Sequence, residues 1–246
     1  MRKAVLFVTL LFISFTGVLA QNKDQRTLQT KMADLLAEMP AENAARFNTA
    51  MQDLAGMGEA GIVGLAGMLK EPGKGDNTKV EYALSGFSGY VTKTGFEKQR
   101  KVSEKAYITA LEKVSDPVNK AFIMAQIQTV GQGADVTNAL KKYLHDERLT
   151  DPAARAIIQA DPSGAGRELM TAASSAEGAS RVSLLKALGE IRFKEALPLL
   201  HSLNNVGDTR LQYVVYDAIA NIGDVSSLSV LSEAAKRNSY VYDATN

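Results

Sequence analysis

Few side chains in this sequence are placed to do chemistry. Its two histidines, His145 and His201, lie apart, each near the end of a helical pattern. An imidazolium there favours the negative end of the helix dipole, a reading that outweighs a catalytic or metal-binding one. With no cysteine and no His pair at ligand spacing, a zinc site has no donors. Lys74 follows Gly67 and Gly73 in an order that suggests a phosphate-binding loop. The glycines are one residue too far apart, Gly75 stands where Ser or Thr must bind the metal, and no strand precedes them. The segment therefore reads as a surface turn.

The carboxylates and hydroxyls are equally scattered. Asp116, Asp151, Asp208 and Asp224 all fall at expected helix boundaries, where a carboxylate caps free backbone N–H groups. Glycoside hydrolysis needs two carboxylates at a set separation in a cleft, and sequence alone shows no such pair. Ser85-Gly86-Phe87-Ser88-Gly89 is the nearest text to a nucleophile elbow. It lacks the second spacer and sits in a helical pattern, which suits close helix packing instead. Ser174-Ser175 and Ser226-Ser227 lie at turns or helix starts without that spacing. No nucleophile, base or metal set assembles, so the chain reads as non-enzymatic and no cofactor is expected. Four tyrosines are better placed for binding: Tyr82 and Tyr90 share one helical pattern, Tyr213 and Tyr216 another. Exposed, they could anchor a peptide or a glycan. Packed between helices with their hydroxyls satisfied, they would be core.

The start of the chain reads as an export signal. Arg2 and Lys3 precede an apolar run over residues 4–15, and Val18 and Ala20 supply the small residues before a cleavage point at Gln21. The run is short for a membrane span. Residues 1–20 are thus expected to be removed, leaving a periplasmic or secreted chain with no membrane attachment. Without cysteine, that chain is held by its core alone. Loss of Arg2 and Lys3 from 28 basic residues leaves 26 against 27 acidic ones, a mature charge of −1. No basic face is implied, and nucleic-acid binding is not expected.

The positioning elements are helices throughout. Residues 28–39 place Leu28, Met32, Leu35, Leu36 and Met39 on one face, and Pro40 stops them. Residues 41–55 restart with Phe47, Met51 and Leu54. Residues 59–69 form a third helix despite Gly61, Gly64 and Gly67, whose spacing permits close helix approach. The loop 71–77 follows, then 78–91 with Val80, Leu84, Phe87 and Val91, and 101–114 with Ala106, Tyr107, Ala110, Leu111 and Val114. From Asp116-Pro117 onward, paired helical patterns return about every 30 residues, at 119–146, 151–178, 180–208 and 209–237. Gly131, Gly189 and Gly223 read as helix ends. No sustained period-two alternation predicts a strand.

The run Leu184-Leu185-Lys186-Ala187-Leu188-Gly189-Glu190-Ile191-Arg192, with Glu195-Ala196-Leu197-Pro198-Leu199-Leu200, resembles a HEAT repeat. So does Ala218-Ile219-Ala220-Asn221-Ile222-Gly223-Asp224-Val225 with Leu228 and Leu231. The likeness is to the short variant named from phycobilisome lyases, in a secreted protein of Bacteroidota type. It covers residues 101–237 well and 59–91 weakly. Arg155, Arg181 and Arg210 stand near the place of the arginine that often opens the inner helix, at unequal distances from the helix ends, so its role is not carried over. The turn at Asp161-Pro162 departs from the glycine closure. The segment 75–84 looks like an early repeat of secreted arrays that precede a keto-disaccharide-hydrolase-type sandwich; no strand-rich sandwich follows.

The resemblance implies an all-α, right-handed α-solenoid of about six helical pairs. The expected organisation is a signal peptide at 1–20, a helical cap at 21–57, the array at 58–237 and a tail or truncated repeat at 238–246. An outer helix at 225–236 without an inner partner suggests an array that continues further. The expected role is a non-catalytic scaffold that binds a protein partner on its concave face, with Tyr82, Tyr90, Tyr213 and Tyr216 as contact candidates. The alternative is an accessory domain of a carbohydrate-processing system, with glycan as the partner.

Overall fold

The computed structural model describes residues 26–204 and 207–237. The leader expected at 1–20 and the tail at 238–246 lie outside the described residues. Within them the chain forms twelve α-helices: α1 (Leu28–Ala37), α2 (Ala44–Ala66), α3 (Thr78–Val91), α4 (Glu97–Lys113), α5 (Pro117–Val130), α6 (Ala134–Leu140), α7 (Thr150–Ala160), α8 (Ala165–Ser175), α9 (Gly178–Glu190), α10 (Leu197–Ser202), α11 (Thr209–Ile222) and α12 (Leu228–Arg237). Short 3-10 turns lead into α10 and α12 and follow α6. Among the described residues no helix is long and apolar enough to cross a membrane.

Local chemistry starts several of these helices. Thr27 caps Thr30 N–H at 3.2 Å and Asn43 caps Arg46 N–H at 3.0 Å. Asp116 caps Asn119 N–H at 3.0 Å, with Pro117 in the first turn, and Asp208 caps Leu211 N–H at 3.2 Å. Asp224 accepts from Ser226 N–H at 3.0 Å, and the Ser226 hydroxyl, then that N–H, hold its carboxyl below the usual range. Asp151 departs from the capping expectation. It lies in the first turn of α7 and pairs with Arg155 one turn on. The helix begins earlier because Asp146 O accepts from both the N–H and the hydroxyl of Thr150, each at 2.8 Å.

Residues 44–66 hold the two helical segments expected at 41–55 and 59–69, joined across a break at Gly58 (φ 61°, ψ −149°) and labelled together as α2. That backbone conformation is open almost only to glycine. Of the three glycines, Gly61 faces Met57 and Gly64 faces the Met32 thioether, so they make room for side chains. Gly189 lies inside α9, not beyond its end. A Cβ there would sit 2.6 Å from Ala218 Cα, so its bare backbone admits α11. The end of α9 instead has Arg192 in the left-handed region (φ 53°), with Arg192 N–H to Gly189 O and Phe193 N–H to Leu188 O, both 3.0 Å. This is a Schellman closure built without glycine. Gly223 does close α11 left-handed, at φ 70°. Gly131 follows α5 in extended conformation.

Packing follows chain order. α1 packs on α2, α2 on α3, α4 on α5, α6 on α7, α8 on α9 and α10 on α11. A second set of contacts joins α3 to α5, α5 to α7, α7 to α9 and α9 to α11. The buried apolar residues form a single cluster from Met32 to Ile222 along this stack. Ala83, Ala106, Ala110, Ala153, Ala156, Ala173 and Ala218 let the helices approach, while Leu, Ile, Val and Met fill the space between them.

Polar groups in this core are tied. Tyr107 is fully buried; its hydroxyl donates to Leu84 O at 2.9 Å and accepts from Ser88 Oγ at 2.8 Å. Burial pushes its pKa well above the usual tyrosine value. Thr150 Oγ1 and Ser180 Oγ, both buried, meet at 2.8 Å between α7 and α9. On α4, Arg100 Nε donates to Val130 O at 2.8 Å and buried Glu104 accepts from Gln132 N–H at 2.7 Å. Together they satisfy the backbone at the end of α5.

Candidate functional site

The four tyrosines separate once the helices are assembled. Tyr90 is 5% exposed, stacked near Phe87 and tilted onto Phe96 with ring centroids 4.6 Å apart. It belongs to the core. Tyr216 is half-buried, donates to Asn204 O at 2.8 Å and accepts from Arg237 Nη2 at 2.7 Å. Its hydroxyl ties α11 to the end of α10 and to α12. Tyr82 is 37% exposed and meets Phe47 of α2 edge-on, centroids 6.4 Å apart. Tyr213 is half-buried on α11. Tyr82 and Tyr213 therefore keep surface available for contact.

These two belong to a longer row. Phe122 on α5, Pro152 on α7 and Val182 on α9 are also half-buried. With Tyr213 they recur about every 30 residues, the interval of the helical pairs. Between α7 and α9 the register is marked by the Thr150–Ser180 hydroxyl contact, and Pro152 and Val182 each stand two residues beyond it. Tyr82 occupies the corresponding part of α3, which packs on α5. Read by position, the series is Tyr82, Phe122, Pro152, Val182 and Tyr213, with Phe47 against Tyr82, and Phe47, Phe122 and Val182 also pack against the core. Phe122, Pro152 and Val182 escaped the sequence reading because each looks like an ordinary inward position of its own helix. Only comparison at the repeat interval reveals them.

One turn further along, the exposed residues are charged or polar. Arg155 pairs with Asp151 on α7, Lys186 Nζ lies 3.9 Å from Glu190 on α9, and Asn221 Nδ2 donates to Asp217 at 3.1 Å on α11. Each group is matched on its own helix. The flank is mixed in sign and polar beside the partly exposed residues.

The residues first weighed for chemistry sit elsewhere. His145 is exposed after α6, and His201, in the last turn of α10, has Nε2 3.0 Å from buried Ser227 Oγ. Lys74 pairs with Glu71 in the turn closed by Lys74 N–H to Glu71 O. Gly86 packs under the Phe47 ring, and Ser88 is held by Tyr107. Among the described residues no three His, Asp or Glu converge as metal ligands do. No family model matches this chain, and none of the curated proteins matches it.

Proposed function

We propose that this chain is an exported, non-catalytic HEAT-like solenoid whose α3–α5–α7–α9–α11 side binds a protein partner. The observation that carries the reading is the series Tyr82, Phe122, Pro152, Val182 and Tyr213, partly exposed residues that recur at the interval of the helical pairs beside a charge-balanced border. Packing between elements two apart in the chain is what stacked two-helix repeats require. In such a stack the second helices of the pairs share one side, and that side is the concave one of a right-handed superhelix. The occupant we favour is an extended or helical protein segment that lays apolar side chains along the row. Recognition then depends on shape and side-chain presentation, and no covalent step is involved.

The test is capture from periplasmic extract of the source organism, with eluates identified by mass spectrometry. A single recovered protein, lost when Tyr82 and Tyr213 become Ala but retained when exposed Lys79 becomes Ala, supports the reading. Equal capture by the doubly substituted chain refutes it. Binding on glycan arrays that needs the same two tyrosines, with no protein captured, refutes the protein partner and favours the carbohydrate alternative.

A further inference from the structure

A second, separate site lies at the kink in α2. A cleft of about 250 Å³ lies between α2, α3 and α4, lined by Ala55, Gly58, Ile62, Phe87, Val102 and Ser103, with Lys98 and Gln99 at its edge. Its floor is apolar: Ile62 and Phe87 are 1% and 2% exposed. The break at Gly58 lies in the cleft wall, where open space surrounds the glycine. The Ser103 hydroxyl is already satisfied by Gln99 O at 2.8 Å, so an apolar occupant strands no donor on the floor.

The edge has one sign. No carboxylate lines the cleft. Of the acids next to the lining in sequence, Glu59 is taken up by Lys105 at 3.4 Å and by the Thr109 hydroxyl at 3.3 Å, and Glu97, beside Lys98, accepts from Gly95 N–H at 3.0 Å. Glu104 is taken up by Lys101 and Gln132. Lys98 is exposed, and none of the ion pairs among the described residues on α4 includes it. An apolar floor beside the Lys98 ammonium suits a ligand with an apolar body and an anionic head.

We propose that this cleft binds a small amphipathic carboxylate, its acyl chain over Ile62, Phe87 and Val102 and its head at the Lys98 ammonium. The site is independent of the partner-binding row. It gives the exported chain a small-molecule ligand in addition to any protein it holds.

The test is titration of the purified protein with sodium octanoate and, in parallel, with uncharged octanamide, followed by amide NMR shifts. Octanoate should shift the amides of Ala55, Gly58 and Val102 saturably and bind about fivefold more tightly than octanamide, the effect of one partly exposed ion pair. Lys98→Gln should bring octanoate down to the octanamide level, while Lys79→Gln, on exposed α3 surface, should leave it unchanged. Unsaturable shifts scattered over the surface would overturn the site. Equal binding of the two ligands by the wild-type protein would overturn the role of charge, and that comparison stands even where K98Q fails to fold.

Discussion

Three glycines offer a direct test of how this helix stack is held, because the same Gly→Ala change should act in opposite directions. At Gly189, an added Cβ would lie 2.6 Å from Ala218 Cα and 2.9 Å from Ala218 Cβ. Ordinary contact begins near 3.4 Å, so α9 and α11 must part by about 0.8 Å. That gap runs through an interface of buried Leu185, Leu188, Val215, Ile219 and Ile222. A separation of this size forfeits about a quarter to a half of each dispersion contact. The helix-propensity gain of Ala, about 1 kcal/mol in a helix interior, is smaller near the end of α9. The net loss should be about 1–3 kcal/mol. At Gly89, on exposed α3, nothing lies within 4 Å of the added Cβ, and the helix gain of about 0.5–1 kcal/mol should stand alone. At Gly58 the space is open too, but φ is 61° and Ala should cost about 1–3 kcal/mol through backbone strain alone. Urea unfolding followed by far-UV circular dichroism measures all three, with slopes compared because a change in slope marks a change in cooperativity. A Gly189→Ala protein as stable as wild type would refute the close approach of α9 and α11. A Gly58→Ala protein stabilised like Gly89→Ala would refute the kink.

Other outcomes follow from single groups. Arg192→Gly should gain about 1 kcal/mol in the same urea assay, since the residue closes α9 in the left-handed region. Glu104→Ala should lose about 1–3 kcal/mol by stranding the Gln132 N–H, and Glu104→Gln, which keeps an acceptor, should lose less. Tyr107 has its pKa raised by burial, so its contribution is complete below the unfolded tyrosine value near 10 and declines above it. Between about pH 10 and 11 wild type should therefore lose up to about 1.4 kcal/mol more than Tyr107→Phe, read from urea midpoints at each pH.

Helix identity was legible because the apolar spacing is strong where burial is strong. Val80, Leu84, Phe87 and Val91 mark α3, and all four are buried. Asp208 and Gly223 bracket α11 at both ends. The reading failed where a residue serves a neighbouring helix instead of its own. Gly189 looks like a stop signal in sequence, yet its role is set by Ala218, 29 positions downstream. Asp151 looks like a cap, yet the start of α7 is set by Thr150 bonding back to Asp146. The candidate site was half visible for the same reason. Tyr82 and Tyr213 stand out as aromatics, but Tyr90 is claimed by Phe87 and Phe96, and Tyr216 by Asn204 and Arg237.

The two surfaces proposed here draw on different parts of the chain, and the difference has a physical basis. A row such as the one proposed from Tyr82 to Tyr213 needs alternate helices in a shared register, so it would lengthen with each further helical pair and suit a long partner. The cleft at Gly58 lies where one helix breaks, and it can be filled only by something small. The polar ties show the same division. Thr150 and Ser180 join like positions of α7 and α9. Arg100 and Glu104 instead reach across to the end of α5 and hold α4 in place beside the kink, so their removal should disturb the cleft before it disturbs the row. In Glu104→Ala, amide shifts of Gly58 and Val102 should move while those of Val182 and Tyr213 stay. Comparable movement in both sets would mean that the stack transmits strain end to end, and the two sites could not then be treated as independent.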